Sequence, residues 1–257
     1  MEISPKQRFL DVCHFKRPGD LYLRVTRFWG QTTAEWLKQG APKEIINPRF
    51  QREFFQFQPI RRMMGTSWGV IGEGRNDAAN SSDELLPAER EKIRQQTVDL
   101  GHGIREGRGT LSPIVPVFDP SVISEDERTV TLRTADGTTV KYLKDSRDRM
   151  PTYLDWPVKD RASWNKLKKR LDPNTPERWP ADWDAFVQKM NGVREPLALM
   201  VGSFYGAIRG WVGSENILYM FHDDPVLIED MMEHLLYLET EMIKRTLKDI
   251  KIEQASM

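Results

Sequence analysis

The stretch PLALMVG (196–202) carries five apolar residues in a row between a proline and a glycine. A short unbroken apolar run is typical of a strand buried on both faces, as in a parallel sheet covered by helices. Gly202 and Ser203 predict a tight turn, and FYGAIRGWVG (204–213) predicts a short helix directly after it. This strand–turn–helix order indicates an α/β protein.

A long amphipathic helix is predicted downstream of this unit. Asp224 is a favourable cap and Pro225 suits the first helical position, and the helix should continue to about residue 249. Apolar residues step along it by three or four, which predicts one buried stripe: Leu227, Met231, Leu235, Leu238 and Met242. The following IKIEQASM (250–257) begins like another strand.

Upstream of PLALMVG, the sequence predicts a β-hairpin and two helices. TVTLRTADGTTVKYL (129–143) has two alternating arms joined at Asp136-Gly137, a pair that favours a type I′ turn. DWPVKDRASWNKLKKRLDP (155–173) predicts a helix capped by Asp160, with one apolar face formed by Trp164, Leu167 and Leu171. A second helix is expected in WPADWDAFVQKM (179–190).

The amino-terminal part predicts helix, strand and helix. Ser4 and Gln7 fit a capping box with Pro5 at the first helical position, and this helix should end near Pro18-Gly19. LYLRVTRFW (21–29) is rich in β-forming residues, and residues 32–38 follow as a short helix. Residues 45–110 combine an aromatic and basic stretch with a loop-like one, and they predict no tertiary placement.

Composition narrows the class of protein. The chain has 257 residues, and its 38 Lys and Arg balance 38 Asp and Glu, which argues against nucleic-acid binding. A single cysteine, Cys13, excludes an internal disulfide and a Cys-pair zinc site. The sequence contains no apolar run long enough for a transmembrane helix, and its amino terminus does not resemble a secretory signal. We therefore expect a cytoplasmic protein without membrane partners.

Chain length bears on the architecture. A complete (β/α)₈ barrel typically takes about 250 residues, and we count only about four plausible barrel strands here. The hairpin and residues 45–110 use up the remaining length. The sequence therefore predicts an α/β fold that is a partial (β/α)₈ TIM barrel, its N-terminal portion, with an added β-hairpin. Residues 1–257 would form a single barrel domain truncated at its C-terminus.

Four segments, taken together in order and spacing, resemble a known superfamily. They are SPKQRFLDVCHFKRPGD (4–20), TVTLRTADGTTVKYLKDS (129–146), MPTYLDWPVKDRASWNKLKKRLDP (150–173) and VGSFYGAIRGWVGSENILYMFHDDPVLIEDMMEHL (201–235). The superfamily is that of uroporphyrinogen decarboxylase (URO-D), and the chain is more similar to its uncharacterised and corrinoid methyltransferase-like branches. The resemblance implies a (β/α)₈ barrel with the active site at the carboxyl ends of the strands.

The chain departs from authentic uroporphyrinogen decarboxylases at two places. Those enzymes carry a Met-Arg-Gln-Ala-Gly-Arg-Tyr stretch on the first strand, whose arginines bind substrate carboxylates. In the corresponding LRVTRFWGQ (23–31), Arg24 aligns with the first arginine but Arg27 is spaced differently from the second. The catalytic-site tyrosine expected near Gly210 is missing. These departures favour the methyltransferase-like branch.

The first group of candidate substrate-binding residues is Arg24, Arg27 and Trp29, on the predicted first strand. A guanidinium can bind a carboxylate or phosphate through two hydrogen bonds. Arg27 and Trp29 fall at the carboxyl end of that strand, where barrels place their chemistry. The alternative is that either arginine is an exposed or ion-paired residue.

The second group is Phe204, Tyr205 and Arg209, which follow the PLALMVG strand. The helix that starts here can hold an anion on its first N–H groups, and Tyr205 can donate a proton or a hydrogen bond to a substrate. The alternative is that Phe204 and Tyr205 only pack over the end of the strand.

No metal or cofactor site is predicted within the chain. Its four histidines are scattered and lack any metal-ligand spacing: His14, His102, His222 and His234. The Gly-rich stretch at 69–74 does not match a dinucleotide fingerprint. The resemblance implies zinc and a corrinoid only for a full-length methyltransferase, whose His and Cys ligands lie in a C-terminal half.

Three functional hypotheses follow. The first is a methyltransferase-like enzyme that acts on a methylated small substrate or with a corrinoid protein as partner. The second is a URO-D-type lyase that decarboxylates a tetrapyrrole. The third is a non-catalytic fragment whose sheet edges require a partner chain. A homodimer is a further alternative for the partner.

Overall fold

The computed structural model describes residues 3–16, 22–23, 28, 30–58, 61–64, 113–144, 151–180 and 182–256. Over these ranges the chain is a mixed α/β protein, with one parallel and one antiparallel sheet. Neither sheet closes into a barrel within the described ranges.

Eight α-helices lie in this part of the chain. They are α1 (Pro5–Cys13), α2 (Gly30–Lys38), α3 (Pro48–Phe54), α4 (Arg161–Lys168), α5 (Trp183–Asn191), α6 (Phe204–Val212), α7 (Asn216–Asp223) and α8 (Pro225–Asp249). Short 3-10 turns span Lys43–Ile46, Lys169–Leu171 and Pro176–Arg178. None of the helices described combines the length and the apolar character that crossing a bilayer requires.

The parallel sheet has three strands in the order β1 (Arg61–Met64), β6 (Leu197–Met200) and β7 (Gln254–Ser256). The central strand β6 is buried along Leu197, Ala198 and Leu199, which confirms the buried parallel strand predicted from PLALMVG. The strand expected in IKIEQASM is confirmed as β7. Among the described residues, parallel strands that follow one another in the chain are therefore neighbours in this sheet.

The predicted hairpin forms the centre of a four-stranded antiparallel sheet. Its strands are ordered β2 (Ser121–Glu125), β3 (Thr129–Arg133), β4 (Thr139–Leu143) and β5 (Thr152–Asp155). The outer strands β2 and β5 pair with β3 and β4 respectively. The sequence predicted only the two strands of the hairpin, so the prediction missed the two outer strands of this sheet.

The type of turn predicted for this hairpin is wrong. A type I′ turn needs a positive φ at both central residues. Gly137 has φ +88°, but Asp136 is not among the described residues with positive φ. The Gly137 N–H donates to the Thr134 carbonyl and the Thr134 N–H to the Thr138 carbonyl, which gives a three-residue loop with a glycine bulge. The Asp136 carboxylate stabilises this loop by accepting the Thr138 N–H at 3.1 Å.

The main hydrophobic cluster lies between β6 and helices α4 to α8. Helix α8 begins at Pro225, where the Asp224 side chain accepts the Leu227 N–H at 3.0 Å. Its predicted stripe is confirmed, because all five residues are buried: Leu227, Met231, Leu235, Leu238 and Met242. The predicted α4 face is confirmed in the same way by Trp164, Leu167 and Leu171.

The amino-terminal elements agree with the sequence in part. Ser4 caps α1 by accepting the Gln7 N–H at 3.2 Å, but the Gln7 side chain bonds Asp11 rather than closing a capping box. The helix ends at Cys13 and not near Pro18, because Phe15 already has left-handed backbone geometry with φ +59°. Most of the predicted strand 21–29 and most of residues 45–110 lie outside the described residues.

Candidate functional site

The carboxyl end of β6 lies at the centre of one edge of the parallel sheet. Met200, the last residue of β6, pairs with Met64 of β1 and with Ser256 of β7. All three strands therefore end at this edge. Substrates of barrels and open α/β sheets bind at such an edge, because the strand-to-helix turns gather there.

The turn after β6 leads directly into α6. Ser203 caps this helix, and its hydroxyl oxygen accepts the Gly206 N–H at 3.1 Å. Gly202 and Ser203 are both exposed. The turn thus presents exposed backbone at the strand end, where the sequence predicts a tight strand-to-helix turn.

A buried carboxyl group lies beneath this turn. Glu239, on the inner face of α8, is only 8% exposed, and its Oε1 accepts the Gly202 N–H at 3.1 Å. Gly202 permits this approach because a Cβ at that position would overlap Glu239 Oε1. Among the described residues, no cation lies within ion-pair distance of the carboxyl group.

The environment of Glu239 favours its neutral form. Burial raises the pKa of the Glu239 carboxyl, and the hydrogen bond from the Gly202 N–H opposes that rise. A carboxyl group with a raised pKa can hold a proton and release it to a neighbouring group, as general acids do. A carboxyl group with a raised pKa therefore lies directly beneath the strand end.

Sequence reasoning missed Glu239, although the sequence contains a signal for it. Glu239 follows Leu235 by four residues and precedes Met242 by three, so it falls on the predicted buried stripe of α8. Glutamate is seldom fully buried unless it is paired. A charged residue on an apolar helix face is the pattern that could have identified it.

The predicted residues of α6 lie on two different sides of the helix. Phe204 is half-buried and packs against the main hydrophobic cluster. Tyr205 is 42% exposed, and the Arg209 Cζ lies 6.0 Å from the centroid of its ring. The structure thus brings Tyr205 and Arg209 together and directs Phe204 to the core. Arg24, Arg27 and Trp29 lie outside the described residues.

No metal centre is formed by the residues that the structure describes, since no three His, Cys, Asp or Glu side chains cluster there. His14 and His222 are exposed, and His234 is half-buried on α8. The zinc implied by the family resemblance therefore has no matching ligand set in these ranges. His102 lies outside them.

A shallow cavity of about 250 Å³ lies elsewhere, lined by Val158, Lys159, Asn216, Tyr219 and Met220. Its polar groups are engaged: the Lys159 amine pairs with Asp155 at 2.9 Å, and the Asn216 amide donates to the Val212 carbonyl at 2.7 Å. The Tyr219 hydroxyl likewise donates to Glu215 Oε1 at 3.4 Å. The end of β6 is accordingly the stronger candidate site.

Comparison with known proteins adds no relative. No protein-family model, curated protein or solved structure matches the chain. The resemblance to the URO-D superfamily therefore stays a prediction from the sequence, and function must be argued from the residues at the strand end.

Proposed function

We propose that this chain is a barrel enzyme of the URO-D superfamily type that binds a small substrate at the carboxyl ends of its parallel strands. The parallel sheet would then be part of a (β/α)₈ barrel, into which the antiparallel sheet is inserted. The observation that carries the proposal is the strand order β1-β6-β7. Barrels place consecutive strands side by side, and the three described parallel strands follow that order without the switch point of a doubly wound sheet.

The reaction we favour is methyl transfer. When a methyl group leaves a nitrogen, oxygen or sulfur atom as a cation equivalent, that atom keeps the bonding electrons and takes up a proton. The Glu239 carboxyl at the strand end supports such chemistry, since it is buried next to an exposed turn. A corrinoid carried by a partner protein would supply the cobalt that accepts the methyl group.

Decarboxylation of a tetrapyrrole is the second candidate, and the position of Arg209 favours it. Loss of carbon dioxide leaves an electron pair on carbon, and that carbon then takes up a proton. The exposed Arg209 guanidinium offers paired donors of the kind that bind carboxylates. Both reactions thus require a proton donor and differ in what the substrate loses.

A parallel assay of the two reactions tests the proposal. The full chain is incubated under reducing conditions with free cob(I)alamin and a panel of methylated amines, thiols and phenols, while loss of the cob(I)alamin absorbance is followed. A matched reaction with uroporphyrinogen follows the release of carbon dioxide. Methyl transfer supports the favoured reaction, carbon dioxide release supports the second candidate, and turnover in neither assay contradicts the proposal.

A non-catalytic role in association with another chain is the remaining alternative. The edge strand β2 is exposed along its whole length, and an exposed edge can pair with a second chain. Size-exclusion chromatography of the chain at low and at high protein concentration distinguishes a monomer from a homodimer. A monomer that turns over substrate counts against this alternative.

A further inference from the structure

The position of Glu239 differs from that of an ordinary carboxylate on a helix. It projects from α8, a helix that packs against α4, α6 and α7, and it reaches the turn at the end of β6. Glu241, two residues later on α8, instead pairs with Lys244 at 3.2 Å on the surface. The Glu239 side chain therefore lies beneath the strand end, whereas that of Glu241 lies at the surface.

Among the residues that the structure describes, charged groups on the surrounding elements do not compensate Glu239. The titratable groups on those elements include Lys168 on α4, Arg170 in the following 3-10 turn, Tyr205 and Arg209 on α6, and His222 and Asp223 on α7. None of these groups forms an ion pair or hydrogen bond with Glu239, and Lys168 is instead bound to Asp230 at 2.7 Å. An ionised carboxylate buried in this position without a paired cation would be costly.

A role in folding alone does not account for this arrangement. The N–H of Gly202 lies in an exposed turn, where water can serve it as well as a buried side chain. A polar but uncharged residue at 239 would accept the same hydrogen bond without the cost of burying an acid. The acid itself is thus the unexplained feature.

We propose that Glu239 is the proton-transferring residue of the site, reached by ligands through the Gly202–Ser203 turn. The inference rests on the proposed function, because it assumes that the substrate binds at the end of β6. In the transfer, the Glu239 O–H bond breaks and its proton moves to the heteroatom or carbon that retains the electron pair of the leaving group. The carboxylate that remains regains a proton from solvent.

Chemical labelling tests the proton and its accessibility without any substrate. Dicyclohexylcarbodiimide reacts with protonated carboxyl groups: the O–H adds across one C=N bond, and the acyl group then migrates to nitrogen as a stable acylurea. The folded chain is treated at neutral pH and the adduct is mapped by mass spectrometry. Glu233, an exposed glutamate of the same helix, is the internal control.

We expect labelling of Glu239 to exceed that of Glu233, since a raised pKa leaves more of the Glu239 carboxyl protonated at a given pH. The labelling should decline as the pH is raised. Labelling of Glu239 no greater than that of Glu233 would overturn the inference, whichever reaction the chain performs.

The variant E239Q tests the transfer itself. Its amide oxygen can still accept the Gly202 N–H, so the variant should fold as the parent does, which thermal unfolding verifies. In whichever assay the parent is active, we expect turnover to fall by roughly 10²–10⁴-fold with little change in KM. The exposed-site variant E233Q should keep parental turnover.

The outcomes separate this inference from the proposed function. Full turnover by E239Q overturns the role of Glu239 and leaves the proposed reaction intact. Labelling of Glu239 in a chain that is inactive in both assays contradicts the proposed reaction, while it still supports an accessible proton donor at the strand end.

Discussion

The indole N–H of Trp164 on α4 donates to Oδ2 of Asp230 on α8 at 2.7 Å. Trp164 is fully buried in the main hydrophobic cluster, so this bond satisfies a polar group that water does not reach. The Lys168 amine, one helical turn further along α4, bonds Oδ1 of the same carboxylate at 2.7 Å. Lys168 and Trp164 together lower the pKa of Asp230. One carboxylate therefore joins the two helices.

Replacing Asp230 should weaken this junction. We expect Asp230→Ala to lower the free energy of unfolding by about 1–3 kcal/mol, because the Trp164 N–H is left buried without an acceptor. Urea unfolding followed by tryptophan fluorescence measures the change. The neighbouring exposed residue gives the control, Glu229→Ala, which should change stability by less than about 0.5 kcal/mol. Equal effects of the two variants would contradict this role of Asp230.

His234 makes stability depend on pH. Burial and, secondarily, the nearby Lys168 lower the pKa of His234 from its usual value of 6.5. The backbone carbonyls of Leu171 and Lys168 and the Asp230 carboxylate act in the opposite direction. The unfolded chain therefore protonates His234 at a higher pH than the folded chain does. The free energy of unfolding is at its full value above pH 6.5, where His234 is neutral in both states, and it decreases as the pH falls below 6.5.

We therefore expect His234→Leu to flatten the decline in unfolding free energy between neutral and mildly acidic pH. The slope is measured by urea unfolding at a series of pH values. His222, which is exposed on α7, supplies the control variant His222→Leu. If His234→Leu and the parent lose stability in parallel, the decline has another origin.

A side chain added at Gly202 should lower the stability of the protein as long as Glu239 is present. A Cβ added at Gly202 would overlap Glu239 Oε1, and overpacking of this kind costs about 1–3 kcal/mol. We expect Gly202→Ala to destabilise the parent by that amount. In a Glu239→Ala background the same substitution should lower the stability much less, because the Glu239 Oε1 that it would overlap is absent. Thermal unfolding of the four proteins measures the coupling, and strictly additive effects would show that the two residues do not interact.

Strong local patterns accounted for the elements that were predicted correctly. A few neighbouring residues are enough to indicate which side chains are buried in three of these elements: the apolar run at β6, the three-and-four spacing of α8 and the alternating arms of the hairpin. The outer strand β2 gives no such signal, since all of its residues are exposed. Its place in the sheet depends on pairing with β3, which a local pattern does not encode.

Long-range contacts account for what the sequence did not reveal. Arg178 is 0% exposed, although arginine usually lies at the surface. Its guanidinium donates to the backbone carbonyls of Asp172 at 2.7 Å, Arg170 at 2.6 Å and Pro113 at 2.7 Å. Burial lowers the pKa of Arg178 to about 10, so it remains charged at neutral pH. The position of Glu239 on the apolar stripe of α8 is visible in the sequence, but its contact with Gly202 is not, because Gly202 lies on another element.

The antiparallel sheet separates two strands that are neighbours in the parallel sheet. Far more residues connect Met64 of β1 to Leu197 of β6 than connect Met200 to Gln254 of β7. The entropy of closing a loop rises only logarithmically, by about 0.6 kcal/mol for each doubling of its length. An insertion of this size thus adds little to the cost of folding, and β1 and β6 can pair across it almost as readily as β6 and β7 do.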